Sequence, residues 1–160
     1  MVNDVWGLQK DPDMADVVAE AGALVVLMHH REKEDTSLDI MADMHSFLAR
    51  SVEIATNAGI ARNHMIVDPG LGFGRSHAQS LTCLNRLNEL GRWFDLPVLL
   101  GASRKRFIGH VLDAELSARV IGTVAANMMG LARGAAIIRV HDVAEHVEAV
   151  KIMTAVEAAG

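Results

Sequence analysis

Three short stretches hold residues that could do chemistry together. "IVDPGLGFGRS" (Ile66–Ser76) puts an acid, Asp68, at the end of an apolar run, then removes side chains from the turn that follows at Gly70, Gly72 and Gly74. "GASRK" (Gly101–Lys105) places Arg104 and Lys105 just after another apolar run. "IIRVHDV" (Ile137–Val143) sets Arg139 and His141 two residues apart, hence on one side of an extended strand. An arginine and a histidine projecting together from a strand need an anionic partner or a water-filled pocket, because an unpaired buried charge is costly. Arg139 suits bidentate binding of phosphate oxygens, and a protonated His141 adds a donor. The implied ligand is phosphorylated or pyrophosphorylated.

Each feature also has a plainer reading. Asp-Pro favours a turn start, and the three glycines can serve positive φ alone, unless something must come very close to the backbone there. G-x-G-x-G is neither the dinucleotide fingerprint nor a phosphate loop closed by Gly-Lys-Ser/Thr. Asn3 or Asp4 can bond a neighbouring backbone group. The adjacent His29 and His30 face opposite sides of a strand and no second ligand cluster accompanies them, so zinc is not expected. The other histidines (His45, His64, His77, His110 and His146) receive no role.

The elements that must position these groups alternate. Short apolar runs at Val2–Val5, Leu24–Met28, Met65–Val67, Val98–Leu100 and Ala136–Val140 read as strands buried on both faces. Helical patterns follow each of them. Asp11 with Pro12 starts the first and Gly22 ends it; Ser37 and Gly59 bound the second; "SHAQSLTCLNRLNELGRWF" reads as one helix; Gly134 stops the fourth; the last runs from Val143. Five βα units predict an α/β protein with a parallel sheet, either an open doubly wound sheet or part of a (β/α)8 barrel, with right-handed crossovers. In both, a ligand site lies beyond the carboxyl ends of the strands. Every predicted strand carries a titratable or amide group at its tip or within it, as a site requires.

Composition sets the outer bounds. At 160 residues with 51% hydrophobic and 22% charged, the chain is a globular mixture of single-domain size. A net charge of −5 without a basic block argues against a nucleic-acid partner. No apolar run approaches the ~20 residues of a membrane span, and no signal segment is visible, so a cytoplasmic protein is expected. The single cysteine, Cys83, lies in an apolar helical pattern and reads as a buried small hydrophobe.

Taken in order, "NDVWG", "VLMHH", "IVDPGLGFG", "GASRKRFIG" and "IIRVHDV" resemble the motifs of the dihydropteroate synthase family. "GTVAANMMGLARGA" looks like its last-but-one helix. The resemblance covers nearly the whole chain and implies a pterin-binding TIM barrel. Such a barrel joins 6-hydroxymethyl-7,8-dihydropterin pyrophosphate to p-aminobenzoate, giving 7,8-dihydropteroate and pyrophosphate in folate synthesis. By that resemblance Asn3, Met28, Asp68 and Lys105 bind the pterin, with Asp68 and Lys105 closest to the chemistry. Phe73 and Ser103 bound the p-aminobenzoate side, and Arg139 and His141 hold the pyrophosphate. Mg²⁺ is the family's cofactor, with no ligand to it expected from this chain.

Two departures accompany the resemblance. The family has a Lys and then a His-Asn pair after the glycine turn, where Arg75, Gln79 and Ser80 stand here. The three βα units that precede "NDV" in the family have no counterpart, so residues 1–160 are expected to form one pterin-binding domain whose barrel is incomplete. Weak or no activity of the chain alone is expected, with self-association or pairing with an N-terminal barrel segment. A non-catalytic half-barrel that binds pterin or pairs with another chain is the alternative. A methyltetrahydrofolate methyltransferase-like enzyme is a third reading, against which "GASRK" with "RVHDV" argues.

Overall fold

In the computed structural model, which describes residues 1–159, the apolar runs form β1 (Val2–Asp4), β2 (Val25–Met28), β3 (Met65–Asp68), β4 (Val98–Leu100) and β5 (Ala135–Ile138). The helices are α1 (Met14–Glu20), α2 (Ile40–Asn57), α3 (His77–Asn85), α4 (Asn88–Phe94), α5 (Arg106–Leu112), α6 (Val120–Ala132) and α7 (Val143–Glu157). All five strands are parallel and lie side by side in chain order. That order separates the two architectures left open by the sequence. A doubly wound sheet reverses its strand order at a switch point, whereas a sheet that always steps the same way with right-handed crossovers keeps its helices on one face. The βα units therefore follow barrel order.

The core agrees. Alternate strand residues Val25, Leu27, Met65, Val67, Val98, Leu100 and Ala135 belong to the large cluster shared with the helices. The opposite face holds a small separate cluster of Val26, Ile66 and Leu99, with Ile137 against it. Asn3 pairs in register with Val26, which pairs with Ile66. Met28 pairs with Asp68. Among the described residues β1 and β5 each have one strand neighbour, so each leaves an edge unpaired.

Several boundaries differ from the sequence reading for local reasons. Asp11 does not cap α1: its Oδ1 accepts from the Asp13 N–H in a turn, and the helix starts two residues later than its Pro12 suggests. Asp39, not Ser37, caps α2 by accepting from the Met41 and Ala42 N–H groups. The single helix expected after β3 is two, α3 and α4, broken at Arg86–Leu87. Ser76 and Gln79 form a reciprocal capping box at the start of α3, and Gln79 also donates to the Asp35 carbonyl. α5 was not foreseen; it grows from the turn after Lys105. β5 ends at Ile138 rather than Val140, although the Arg139 N–H still donates to the Leu100 carbonyl at 2.9 Å. No described helix is long and apolar enough to cross a membrane.

Candidate functional site at the strand ends

The glycine turn after Asp68 is shaped by its own chain. Gly70, Gly72 and Gly74 all have positive φ. A Cβ at Gly70 would overlap the His29 carbonyl, and one at Gly74 would overlap the Arg31 carbonyl. The turn thus lies directly on the end of β2, and only hydrogen side chains let it do so. Gly72 differs: its Cβ would meet only the Lys105 side chain, at 3.3 Å. Arg75 ties the turn down from beneath. It is 5% exposed, donates to the Cys83 sulfur at 2.9 Å, and bonds His29 Nδ1. His29 Nε2 in turn meets Asp43 Oδ2 at 2.9 Å, and Arg31 donates to Asp43 Oδ1 at 2.8 Å. Burial, with Arg75 beside it, lowers the His29 pKa to about 4. The ring is then neutral, relaying between a buried guanidinium and a carboxylate. Burial raises the Cys83 thiol despite Arg75, in keeping with a packed, unreactive side chain.

This turn holds Asp68 at the end of β3. The carboxyl group is 1% exposed. Its Oδ1 accepts from the Gly70 N–H at 2.7 Å. Its Oδ2 is buried without a hydrogen-bond partner. The nearest cation there, the Arg139 guanidinium, stands 3.7 Å away, an electrostatic contact too long for a hydrogen bond. Burial raises the Asp68 pKa, against the pull of the Gly70 N–H, Arg139, Lys105 and Arg75. A carboxylate held this way has one oxygen satisfied and one waiting for donors.

The cations converge from β4 and β5. Lys105 is half-buried, its Nζ 4.2 Å from the centre of the Phe73 ring. Burial lowers its pKa, partly offset by Asp68. Arg139 crosses over Gly101, where a Cβ would come within 2.7 Å of its guanidinium. Ser103 Oγ lies 2.7 Å from His141 Nδ1 and accepts from the His141 N–H at 3.2 Å. With the hydroxyl donating to Nδ1, the neutral imidazole carries its proton on Nε2, directed away from Ser103. Arg104 forms a two-pronged pair with Asp142, which fixes the loop on which His141 rides. Gly101, Ser103, Lys105, Arg139, Val140 and His141 enclose a cleft of about 150 Å³.

The structure therefore gathers Asp68, Phe73, Lys105, Ser103, Arg139 and His141 at one end of the sheet. Met28 is buried beside Asp68 in register. Asn3 is exposed on β1, two strands from Asp68, on the face that carries Val26 and Ile66. Asp4 takes the plainer role: its carboxylate accepts from the Trp6 and Leu8 N–H groups. Sequence reasoning missed the Arg75–His29–Asp43 relay and the ring contacts of His30. Arg75 was visible as a departure from a family pattern, but its burial was not.

Comparison with known proteins agrees with this geometry. The sequence pattern of the family described as "Pterin binding enzyme" matches residues 1–141. The dihydropteroate synthase of Bacillus subtilis (strain 168) is 43% identical over 155 residues, which is 97% of this chain and 54% of that protein. That of Escherichia coli (strain K12) is 35% identical over 161 residues, 97% of this chain and 56% of that protein. The chain thus spans about half the length of the curated relatives it matches. Among solved structures, the dihydropteroate synthase of Clostridium difficile in the presence of pteroic acid superposes with a TM-score of 0.93 at 42% identity, covering 98% of this chain and 59% of that one. The Xanthomonas albilineans dihydropteroate synthase in complex with 7,8-dihydropteroate gives 0.93 at 41% identity, covering 99% and 59%. With strands in barrel order, polar groups gathered at their carboxyl ends and the family pattern running from the first strand past the last, this chain belongs to the pterin-binding enzyme family.

Proposed function

We propose that the site serves the dihydropteroate synthase reaction, in which p-aminobenzoate displaces pyrophosphate from 6-hydroxymethyl-7,8-dihydropterin pyrophosphate. One observation carries this most directly: Asp68 Oδ2 is a buried acceptor without a donor, 3.7 Å from the guanidinium of Arg139, which itself lines the cleft. The guanidine-like edge of a pterin presents the N–H donors that such an oxygen lacks. Met28 and Asn3 would flank the ring, and Lys105 would reach its far side. Arg139 and the His141 Nε2–H would take the pyrophosphate. Phe73, with Ser103, would border the aromatic amine.

In the reaction the amine nitrogen forms a bond to the pterin's methylene carbon as the carbon–oxygen bond to pyrophosphate breaks. Negative charge grows on the leaving oxygens, and the amine gives up a proton. Arg139 and His141 stand where that charge develops, and Lys105 adds to the positive field. Asp68 fixes the pterin so that the methylene faces the amine. No enzyme nucleophile is needed. The chain's own residues do not suit a Mg²⁺ ion: no cluster of three or more His, Cys, Asp or Glu that could hold a metal occurs among the described residues, and Asp68 faces cations. No step is therefore assigned to the metal.

The test is pyrophosphate binding by calorimetry. Arg139→Ala is expected to weaken it by roughly 10–100-fold, since hydrogen bonds to charged groups are worth about 1.5–3 kcal/mol. Unaltered affinity in that variant would remove Arg139 from the role.

The edges of the sheet bear on how the site is completed. Beside β5, an open groove of about 620 Å³ is lined by Leu99, Ile137, Val140, Val143, Val147 and Val150. An unpaired strand edge next to apolar surface invites a further strand. We infer that the chain associates there, with a barrel segment or with a second copy. Size exclusion with light scattering is expected to show assembly that grows with concentration; a stable monomer at high concentration would contradict it.

A further inference from the structure

Across the carboxyl ends of β1 to β4 runs a line of rings and cations, of which the function above uses only Phe73 and Lys105. Lys10 Nζ lies 3.9 Å from the centre of the Trp6 ring. The Trp6 and His30 rings are 3.7 Å apart and tilted by 38°. His30 and Phe73 follow at 5.6 Å and 45°. Lys105 closes the line over Phe73.

His30 is its middle member. Its Nδ1 is buried and has no hydrogen-bond partner. A nitrogen sealed from water and unpaired costs free energy, so what this ring contributes is its faces. Burial, with Lys10 nearby, holds the imidazole below its ordinary pKa despite Glu32, which keeps it neutral between two lysines. The turn that carries Phe73 is pinned at Gly70 and Gly74, which leaves the Phe73 side chain to be set by what touches it. His30, backed by Trp6, and Lys105 are both against it.

We propose that His30 is a positioning residue: wedged between Trp6 and Phe73, its ring sets the face that Phe73 presents and the place where the Lys105 ammonium rests. Its consequence for substrates rests on the function proposed above. If Phe73 borders the aromatic amine, His30 governs affinity for that amine and not for the pterin.

The test has two arms. In the first, the ligand-free chain is acetylated with acetic anhydride and each lysine is followed by mass spectrometry. His30→Ala lets Phe73 fall back and water reach Lys105, so Lys105 is expected to react about threefold faster or more, and His30→Phe to return it to the parent rate. Lys151, on α7 and remote from His30 in sequence, should not change. An unchanged Lys105 overturns the proposal; so does an equal rise at Lys151, which would report general loosening.

In the second arm, calorimetry follows p-aminobenzoate in the presence of 6-hydroxymethylpterin and pyrophosphate, a mixture that cannot react. His30→Ala is expected to bind p-aminobenzoate about fivefold more weakly with pterin affinity within about twofold of the parent, and His30→Phe to restore it. Equal losses for both ligands would overturn the selective role. A parent chain that binds neither ligand would refute the proposed function, and the acetylation arm would then decide His30 by itself.

Discussion

Asp68→Asn is expected to weaken pterin binding by roughly 100–700-fold, since two hydrogen bonds to a charged acceptor are worth about 3–4 kcal/mol together and about 1.4 kcal/mol is tenfold. The substitution keeps shape and volume but replaces an acceptor oxygen with either a competing donor or an uncharged carbonyl. The same change should not destabilise the free chain. Burial holds the Asp68 carboxyl above its ordinary value of 3.8, so the folded chain binds this proton more tightly than the unfolded chain does. Its contribution to stability is therefore fully present below 3.8 and declines as pH rises through the raised folded value. Pterin binding runs the other way: it needs the ionised carboxylate, so affinity falls as pH drops through that value. Asp68→Asn removes both dependences. Calorimetric titrations across pH, with thermal melts of the free chain, check this. An Asn variant that binds pterin like the parent would exclude Asp68 as the pterin's acceptor.

Gly70→Ala is expected to cost more than about 3 kcal/mol of stability, enough to unfold a marginal chain, because it adds a backbone clash to a strained φ. The added methyl would overlap the His29 carbonyl at φ +65°, and the turn cannot lift without pulling Arg75 from His29 and Cys83. Gly72→Ala is the informative partner. Its φ is also positive, but its methyl would meet only the flexible Lys105 side chain at 3.3 Å. The expected cost is about 1–2 kcal/mol, the penalty of a left-handed conformation alone. Urea denaturation of the two variants distinguishes the contributions. Equal losses would mean that positive φ, not close approach of the β2 carbonyls, dictates glycine in this turn.

The two glycines illustrate a general feature of this chain. The sequence posed a choice between positive φ and close approach at Gly70, Gly72 and Gly74. The structure answers with both, and the approaching group is the chain's own His29 and Arg31 backbone at two of the three positions. A motif that reads as room for a ligand is largely room for a neighbouring strand. Only Gly72 faces the site, through Lys105.

Strand identity, parallel pairing and the collection of polar groups at strand ends were legible in the sequence. Each depends on local patterning: four or five apolar residues, a helix period, a charged residue at the boundary. Asp68 and Lys105 stand out because each lies at or shortly after the end of an apolar run, and Arg139 and His141 because alternate residues of a strand share a side. The helix starts at Asp13 and Asp39 were not legible, because candidate caps lie within two or three residues of each other. The break between α3 and α4 and the existence of α5 were not legible either, because the residues before those helices, Leu87 and Lys105, make no side-chain cap that the sequence could signal.

The sequence by itself determined the βα alternation, the chemistry gathered at the strand ends and the likeness to a family, all properties of residue type and order along the chain. Tertiary structure alone decided that the strands step in one direction and so follow barrel order. It also decided that Arg75 is buried against His29 and Cys83, that Ser103 orients His141, and that His30 stands between Trp6 and Phe73. The physical reason is common to all four: each depends on contacts between residues distant in sequence, brought together by sheet register and crossover handedness, which no local pattern encodes.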